Sequence, residues 1–186
     1  GLVSDDVLIV TNQDHHSLTE TLLKKINNTL NVTYLLEPMG RNTAPAIALA
    51  TQYVSQKFGD DTICLVLAAD HLISGELAFK SEVQRACGEA KAGNLVVFGV
   101  RPTAPETGYG YVEVDTVADH PQPVKSFVEK PDRSTAEKYL AEGRYYWNSG
   151  MFCFEAGVMA ANMKRDAEDV WGRSEDAFNN ALDAGS

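Results

Sequence analysis

The sequence has few cysteines, no excess of basic charge and no long apolar run, and each shortage removes a class of protein. Three cysteines in 186 residues, odd in number and far apart, do not make a disulfide scaffold. Cys64 and Cys153 lie in apolar, strand-like runs and Cys87 in a helical pattern, so all three read as reduced core thiols. No Cys/His spacing suggests zinc, and the expected compartment is the cytoplasm. Lysine and arginine number 16 against 26 acidic residues, a net charge of −10. That balance argues against nucleic acid or an anionic membrane as partner, while leaving room for a small anionic ligand held by local positive points. No apolar run approaches the ~20 residues that span a bilayer, and no charged-then-apolar leader opens the chain. Low-complexity tracts, internal repeats and long linkers are absent. So is a covalent nucleophile with its base: Ser149 has no nearby histidine in sequence, and the cysteines lack electropositive neighbours. The chain opens on Gly1-Leu2 without methionine and stops at Ala184-Gly185-Ser186 just after a helical segment, which reads as a piece of something longer.

What is present is an ordinary globular composition, 44% hydrophobic, in a chain long enough for one domain with a sizeable core. Val7–Val10 reads as a strand. Thr11-Asn12-Gln13-Asp14 offers helix-start chemistry, and Leu18, Leu22 and Ile26 recur on one helical face. Val32–Leu36 is a second strand, and an alanine-rich, buried helix is expected over about Ala46 to Phe58. Ile63–Ala69 reads as a central strand buried on both faces, as in a parallel sheet. A helix over Glu76 to Ala92, stopped by Gly93 and Asn94, leads to a strand over Leu95–Gly99. Beyond Val100 the pattern alternates: strands at Tyr109–Asp115, Val124–Val128 and Tyr145–Phe154, the last interrupted by Asn148-Ser149-Gly150. Ser134 and Glu137 form a capping box for a helix to about Glu142, and Ala156–Lys164 and Glu168–Leu182 close the chain as helices. The order predicts an α/β, doubly wound half over about residues 1–100 and an antiparallel lobe with closing helices over about 101–186.

Five places can carry chemistry. In Glu37-Pro38-Met39-Gly40-Arg41-Asn42-Thr43-Ala44-Pro45, Gly40 permits a tight turn and Asn42 or Thr43 can cap. Pro45 suits a first helical turn, so backbone N–H groups face an anion or base edge with Arg41 at the mouth. Arg41 can equally pair with Glu37. Asp70-His71 ends the central strand, where ligands of open α/β sheets bind; a capping role is the plainer reading. Glu129-Lys130-Pro131 delivers a carboxylate able to accept two sugar hydroxyls beside an ammonium able to hold a phosphate, or else a solvated surface pair. The Asn148 amide can both donate to and accept from hydroxyls, or satisfy local backbone. Gly108-Tyr109-Gly110 is no dinucleotide fingerprint, since it opens a strand; a glycine there lets a flat ligand such as a sugar ring approach. This inventory suits phosphoryl or nucleotidyl transfer, where positioning and charge neutralisation dominate.

Together these motifs, in the order Glu37 to Ala46, Ala69-Asp70-His71, Glu106-Thr107-Gly108-Tyr109-Gly110-Tyr111, Phe127-Val128-Glu129-Lys130-Pro131 and Tyr146-Trp147-Asn148-Ser149-Gly150-Met151-Phe152, closely resemble the mannose-1-phosphate guanylyltransferases. These GDP-mannose pyrophosphorylases include a bacterial form often fused to a phosphomannose isomerase domain. The resemblance runs from about Val7 to Phe154. It implies a Rossmann-like nucleotidyltransferase fold, with a mixed, mostly parallel sheet, helices on both faces and a small antiparallel sugar-binding lobe. It implies that Mg²⁺ helps the phosphate of mannose 1-phosphate attack the α-phosphorus of GTP, giving GDP-mannose and pyrophosphate. Carried over, Glu37, Arg41, Asn42 and Thr43 lie by the nucleotide, Asp70 binds the metal, and Lys130 reaches the sugar phosphate. Gly108, Tyr109, Glu129 and Asn148 contact the mannose. Two features of the family have no match: the opening glycine-rich loop with its Arg and Lys, and a second metal-binding Asp after the Trp-Asn-Ser-Gly motif. The resemblance therefore implies a partial domain, inactive alone, whose uncovered strand edge would pair with another chain, possible as a homo-oligomer. A related transferase for another base or sugar, or a non-catalytic sugar-nucleotide-binding module, are the competing readings.

Overall fold

The structure, a computed structural model, describes residues 6–37 and 42–183. They form two compact units, one holding residues up to Thr62 together with those from Ala156 on, the other Ile63–Glu155. The border is thus crossed twice and does not follow a cut near residue 100.

The first unit contains β1 (Asp6–Asn12), α1 (Gln13–Ile26), β2 (Asn31–Glu37), α2 (Thr43–Phe58), α5 (Ala156–Asp166) and α6 (Glu168–Asp183). Asn12 starts α1 as its neighbours suggest: its side chain accepts from the His15 N–H at 3.0 Å, satisfying one of the helix's free donors. β1 and β2 pair in parallel, Asp6 opposite Asn31 through Asn12 opposite Glu37. Leu18, Leu22 and Ile26 do share a face of α1, but that face is exposed. α2 begins at Thr43, three residues earlier than the alanine run indicates, because Pro45 is tolerated inside a first turn. It buries Ile47, Ala48, Thr51 and Gln52 and packs against α5 and α6. The start of α5 is tied to the turn after α2, with the Ala156 N–H donating to Thr62 O at 2.9 Å and the Gly157 N–H to Asp60 O at 2.8 Å.

The second unit contains β3 (Ile63–Val66), α3 (Glu76–Lys91), β4 (Val96–Val100), β5 (Gly110–Val114), β6 (Val124–Glu129), α4 (Arg133–Glu142) and β7 (Tyr145–Glu155). Its five strands form one sheet in which every pairing is antiparallel. The strand read as Ile63–Ala69 and as fully buried ends at Val66 and is half-buried. Its apolar character reflects packing against α3 on one side: Ile63 and Leu65 join Ala86, Ala90 and Cys153. Such a run cannot by itself distinguish parallel from antiparallel neighbours. The cysteines are free thiols, and burial pushes Cys64 up to about 11 and Cys153 upward as well.

Two local details differ from the sequence pattern. Asp132, not Ser134, caps α4, accepting from the Thr135 N–H at 2.8 Å while the Ser134 hydroxyl also donates to it. Glu137 instead pairs with Arg133 at 2.8 Å. Beneath α4, Ala136, Tyr111 and Tyr145 form a second small core, with Tyr139 stacked on Tyr145 at 3.8 Å.

Central strand β5 is buried throughout, including Glu113. Its carboxylate accepts from Ser126 Oγ at 2.7 Å, pairs with Arg144, and lies 3.5 Å from Lys125 Nζ. The Ser126 hydrogen bond first, then the two cations, hold its carboxyl below the ordinary range. A lowered carboxyl pKa adds stability above the unfolded-state value, roughly 4.3, that is lost as pH falls through the folded value. Melting curves from pH 7 to pH 3 should therefore fall more steeply below about pH 4 in the wild type than in Glu113→Gln; parallel profiles would refute the assignment.

Candidate active site

The site is built around β7, which is paired along both edges. Trp147 faces Val100 of β4 and also Tyr111 of β5, while Cys153 faces Val96 of β4 and also Leu65 of β3. β3 and β5 therefore share one edge of β7, with β3 beside residues 152–155 and β5 beside residues 145–147. Among the described residues no strand pairs with 148–151 on that edge. β3 runs toward this break, and β5 enters at its far side with Gly110.

On the opposite edge three of these residues, 149–151, bulge. Val97 pairs with Phe152, but Gly99 pairs with Asn148. Phe98 thus stands against Ser149, Gly150 and Met151, so β7 carries two extra residues. A bulge re-aims the side chains that border it, and here it borders Asn148.

Across the sheet Asn148, Gly110 and Glu129 form a row. Gly110 pairs directly with Glu129. A Cβ on Gly110 would lie 2.7 Å from Glu129 Oε2 and 3.6 Å from Asn148 Cβ. The absent side chain leaves the carboxylate lying over the backbone, flanked by the amide. A Cβ on Gly108 would meet nothing within 4 Å. The glycine whose smallness the geometry requires is therefore Gly110, which the sequence pattern does not separate from its neighbour. Asn148 Oδ1 accepts from the Gly150 N–H at 3.0 Å, which orients the amide and leaves Nδ2 as a donor. With the Glu129 carboxylate lying over Gly110 as acceptor, the row sets an acceptor beside a donor, a pattern suited to neighbouring hydroxyls.

Lys130 follows at φ 45°, a left-handed conformation for a residue with a side chain. Its N–H donates to Tyr109 O at 3.2 Å, and its ammonium lies 3.6 Å from Glu129 Oε1 in a solvent-exposed pair. Tyr109, half-exposed, meets Trp147 edge-to-face at 5.3 Å. The structure thus brings Tyr109, Glu129, Lys130 and Asn148 together, and adds Gly110, Trp147 and Ser149.

Asp70 lies beyond the end of β3, in the irregular stretch before α3. Its side chain is 92% exposed, with His71 Nε2 at 4.0 Å. Among the described residues no group of three or more His, Cys, Asp or Glu could hold a metal. In the first unit, burial raises the Glu37 carboxyl above its ordinary range. Asn42 precedes α2 at φ 63°, ψ −179°, and its side chain makes no capping bond; Thr43 is the first helical residue. That backbone region is open almost only to glycine, so Asn42 holds strain. Arg41, with Pro38, Met39 and Gly40, lies outside the described residues.

Residues 3–185 match the model of a family described as "Nucleotidyl transferase". The chain belongs to the nucleotidyl transferase family. A mannose-1-phosphate guanylyltransferase of Klebsiella pneumoniae is 44% identical over 190 residues, covering 100% of this chain and 40% of that protein. The xanthan biosynthesis protein XanB of Xanthomonas campestris is 48% identical over 158 residues, covering 85% of this chain and 33% of that one. A crystal structure titled mannose-6-phosphate isomerase from Helicobacter pylori superposes with a TM-score of 0.85 at 35% identity. It covers 94% of this chain and 66% of that one. The chain therefore spans about 40% of the length of the first of these relatives, and it shares the α/β nucleotidyltransferase fold of its structural neighbours.

In this transferase domain, Gly110→Ala should displace the Glu129 carboxylate, the mobile end of the 2.7 Å contact. A crystal structure should show that side chain swung off the sheet, with the fold retained. An unmoved Glu129 would show that Gly110 is not needed for its placement.

Proposed function

We propose that the chain is the sugar-recognising part of an enzyme that transfers GMP from GTP to mannose 1-phosphate, releasing pyrophosphate and giving GDP-mannose. The observation that carries the sugar side is the Asn148–Gly110–Glu129 row, in which the Glu129 carboxylate lies over Gly110 as an acceptor and the Asn148 amide stands beside it as a donor. The guanine and the mannose are supported by relatives such as the Klebsiella guanylyltransferase.

In this reading Asn148 Nδ2 and Glu129 read the mannose hydroxyls, and Tyr109, braced by Trp147, flanks the ring. Lys130 holds the sugar phosphate, its left-handed backbone turning the side chain out of the ladder as β6 ends. The attacking oxygen then belongs to a phosphate held both through its sugar and by Lys130, and positioning together with charge stabilisation is what a protein supplies in phosphoryl transfer. Glu37, Arg41, Asn42 and Thr43 take the nucleotide, with the N–H groups at the start of α2 available to a phosphate or base edge. Asp70 fits Mg²⁺ as one exposed carboxylate, since this ion takes one or two protein carboxylates and completes its shell with phosphate oxygens and water. The metal would neutralise charge on the phosphates.

No helix among the described residues is long and apolar enough to cross a membrane. The three unoxidised thiols suit the cytoplasm, where a nucleotide-consuming transferase has its substrates.

Calorimetric titration with GDP-mannose and with GDP tests the reading. GDP-mannose should bind more tightly, and Glu129→Gln and Asn148→Ala should each weaken it about tenfold or more while leaving GDP unchanged, as expected for loss of a hydrogen bond to a charged or fixed polar group. Preference for a uridine or deoxythymidine sugar would overturn the guanosine and mannose assignments. The 186-residue chain alone, which contains no glycine-rich loop bearing Arg and Lys, should release negligible pyrophosphate from GTP and mannose 1-phosphate. Turnover at the rate of a complete enzyme would contradict that.

A further inference from the structure

A strand bulge leaves backbone groups without ladder partners, and each must be satisfied elsewhere if it is not to cost stability. At the β7 bulge the groups at issue are the Phe98 carbonyl of the facing β4 and the Gly150 and Met151 N–H groups of β7 itself. Asn148 Oδ1 takes the Gly150 N–H at 3.0 Å. Ser149 takes the other two: its hydroxyl donates to Phe98 O at 2.7 Å and accepts from the Met151 N–H at 3.2 Å. A hydroxyl carries a single proton, so this one is committed to Phe98. Gly150, at φ 71°, permits the turn between them.

We infer that Ser149 is a positioning residue for the sugar site, fixing the bulge so that Asn148 presents its amide N–H₂ to the ligand. The chain of dependence is short. Ser149 pins β7 to β4 through Phe98 and holds the far side of the bulge through Met151. Together these hold the Gly150 N–H where Asn148 Oδ1 can accept it, and that bond decides which end of the Asn148 amide faces outward. Ser149 touches no ligand in this account. Without its hydroxyl, one carbonyl and one N–H of a part-buried strand lose their partners, and the strand shifts to recover them. The amide of Asn148 then has no fixed orientation. The inference rests on the proposed reading of Asn148 as a sugar contact.

The test compares GDP-mannose and GDP affinities for Ser149→Ala, Ser149→Thr and Ser149→Val, with Asn148→Ala and the double variant Asn148→Ala/Ser149→Ala beside them. Ser149→Ala and Ser149→Val should each reduce the GDP-mannose over GDP preference about tenfold, and Ser149→Thr, which keeps the hydroxyl, should retain it. The double variant should be no worse than Asn148→Ala, because two residues acting through one contact are not additive. The Asn148 side-chain amide signal in a ¹H–¹⁵N spectrum should move in Ser149→Ala and Ser149→Val. Should Ser149→Ala fail to fold, the near-isosteric threonine and valine variants still isolate the hydroxyl. A lowered melting temperature with the preference unchanged would make Ser149 merely structural and overturn the inference, as would full additivity in the double variant. If instead Asn148→Ala leaves the preference intact, the sugar-site reading itself fails, and the two failures are thereby told apart.

Discussion

The second unit depends on one strand being held from both sides. β7 pairs with β4 along one edge and with β3 and β5 along the other, so its backbone is the frame to which the other four strands refer. β6 is attached through β5. Two cores flank this frame, one where α3 meets Cys153 and one where Tyr111, Ala136 and Tyr145 meet. At a single place, residues 149–151, the frame is relaxed on both edges at once: unpaired among the described residues on one, bulged on the other. A strand so strongly over-determined on either side can carry such an irregularity without slipping register.

Backbone strain tells the same story at two other points. Among the described residues, the non-glycine positions with positive φ are Asn42 and Lys130. Each stands at the end of a regular element, Asn42 before α2 and Lys130 after β6. Such conformations persist only where the surroundings impose them, and they collect at functional sites. Both positions belong to motifs that point to phosphate or nucleotide chemistry. The strained lysine follows Glu129, so its side chain leaves the sheet in a direction a regular strand could not supply.

The element order was largely legible in the sequence because periodicity and caps are local. Asn12 capping α1 and Gly143 ending α4 with φ 70° follow from a few neighbouring residues, whereas the alternation over Tyr109–Asp115, which reads as a half-exposed strand, does not translate into exposure, because β5 is paired on both edges and buried throughout. Even there, near-equivalent signals could not be ranked. Asp132 and Ser134 are both good caps, and only the packed chain shows that Asp132 takes the Thr135 N–H. Leu18, Leu22 and Ile26 have helical spacing, yet spacing does not say what covers a face. The run from Ile63 to Ala69 marked burial, but strand direction depends on the neighbour, and that neighbour, β7, lies some ninety residues away.

For the site, the sequence by itself determined the residue types: an acidic and a basic residue closing β6, an amide inside an aromatic strand, a carboxylate after β3, small residues before β5. Those types suit phosphoryl or nucleotidyl transfer, because a side chain's donors, acceptors and charge are properties of its own covalent structure. Only the tertiary structure decided which of them meet. It set Gly110, rather than Gly108, under the Glu129 carboxylate, turned Asn148 into a donor by engaging its oxygen, and gave Ser149 its two backbone partners. The Gly110–Glu129 pairing and the Ser149–Phe98 bond depend on register between strands distant in sequence, while the Asn148–Gly150 and Ser149–Met151 bonds span two residues within the bulge that this register creates. Register is a property of the assembled sheet, fixed by packing on both edges of β7, and no local stretch of sequence contains it.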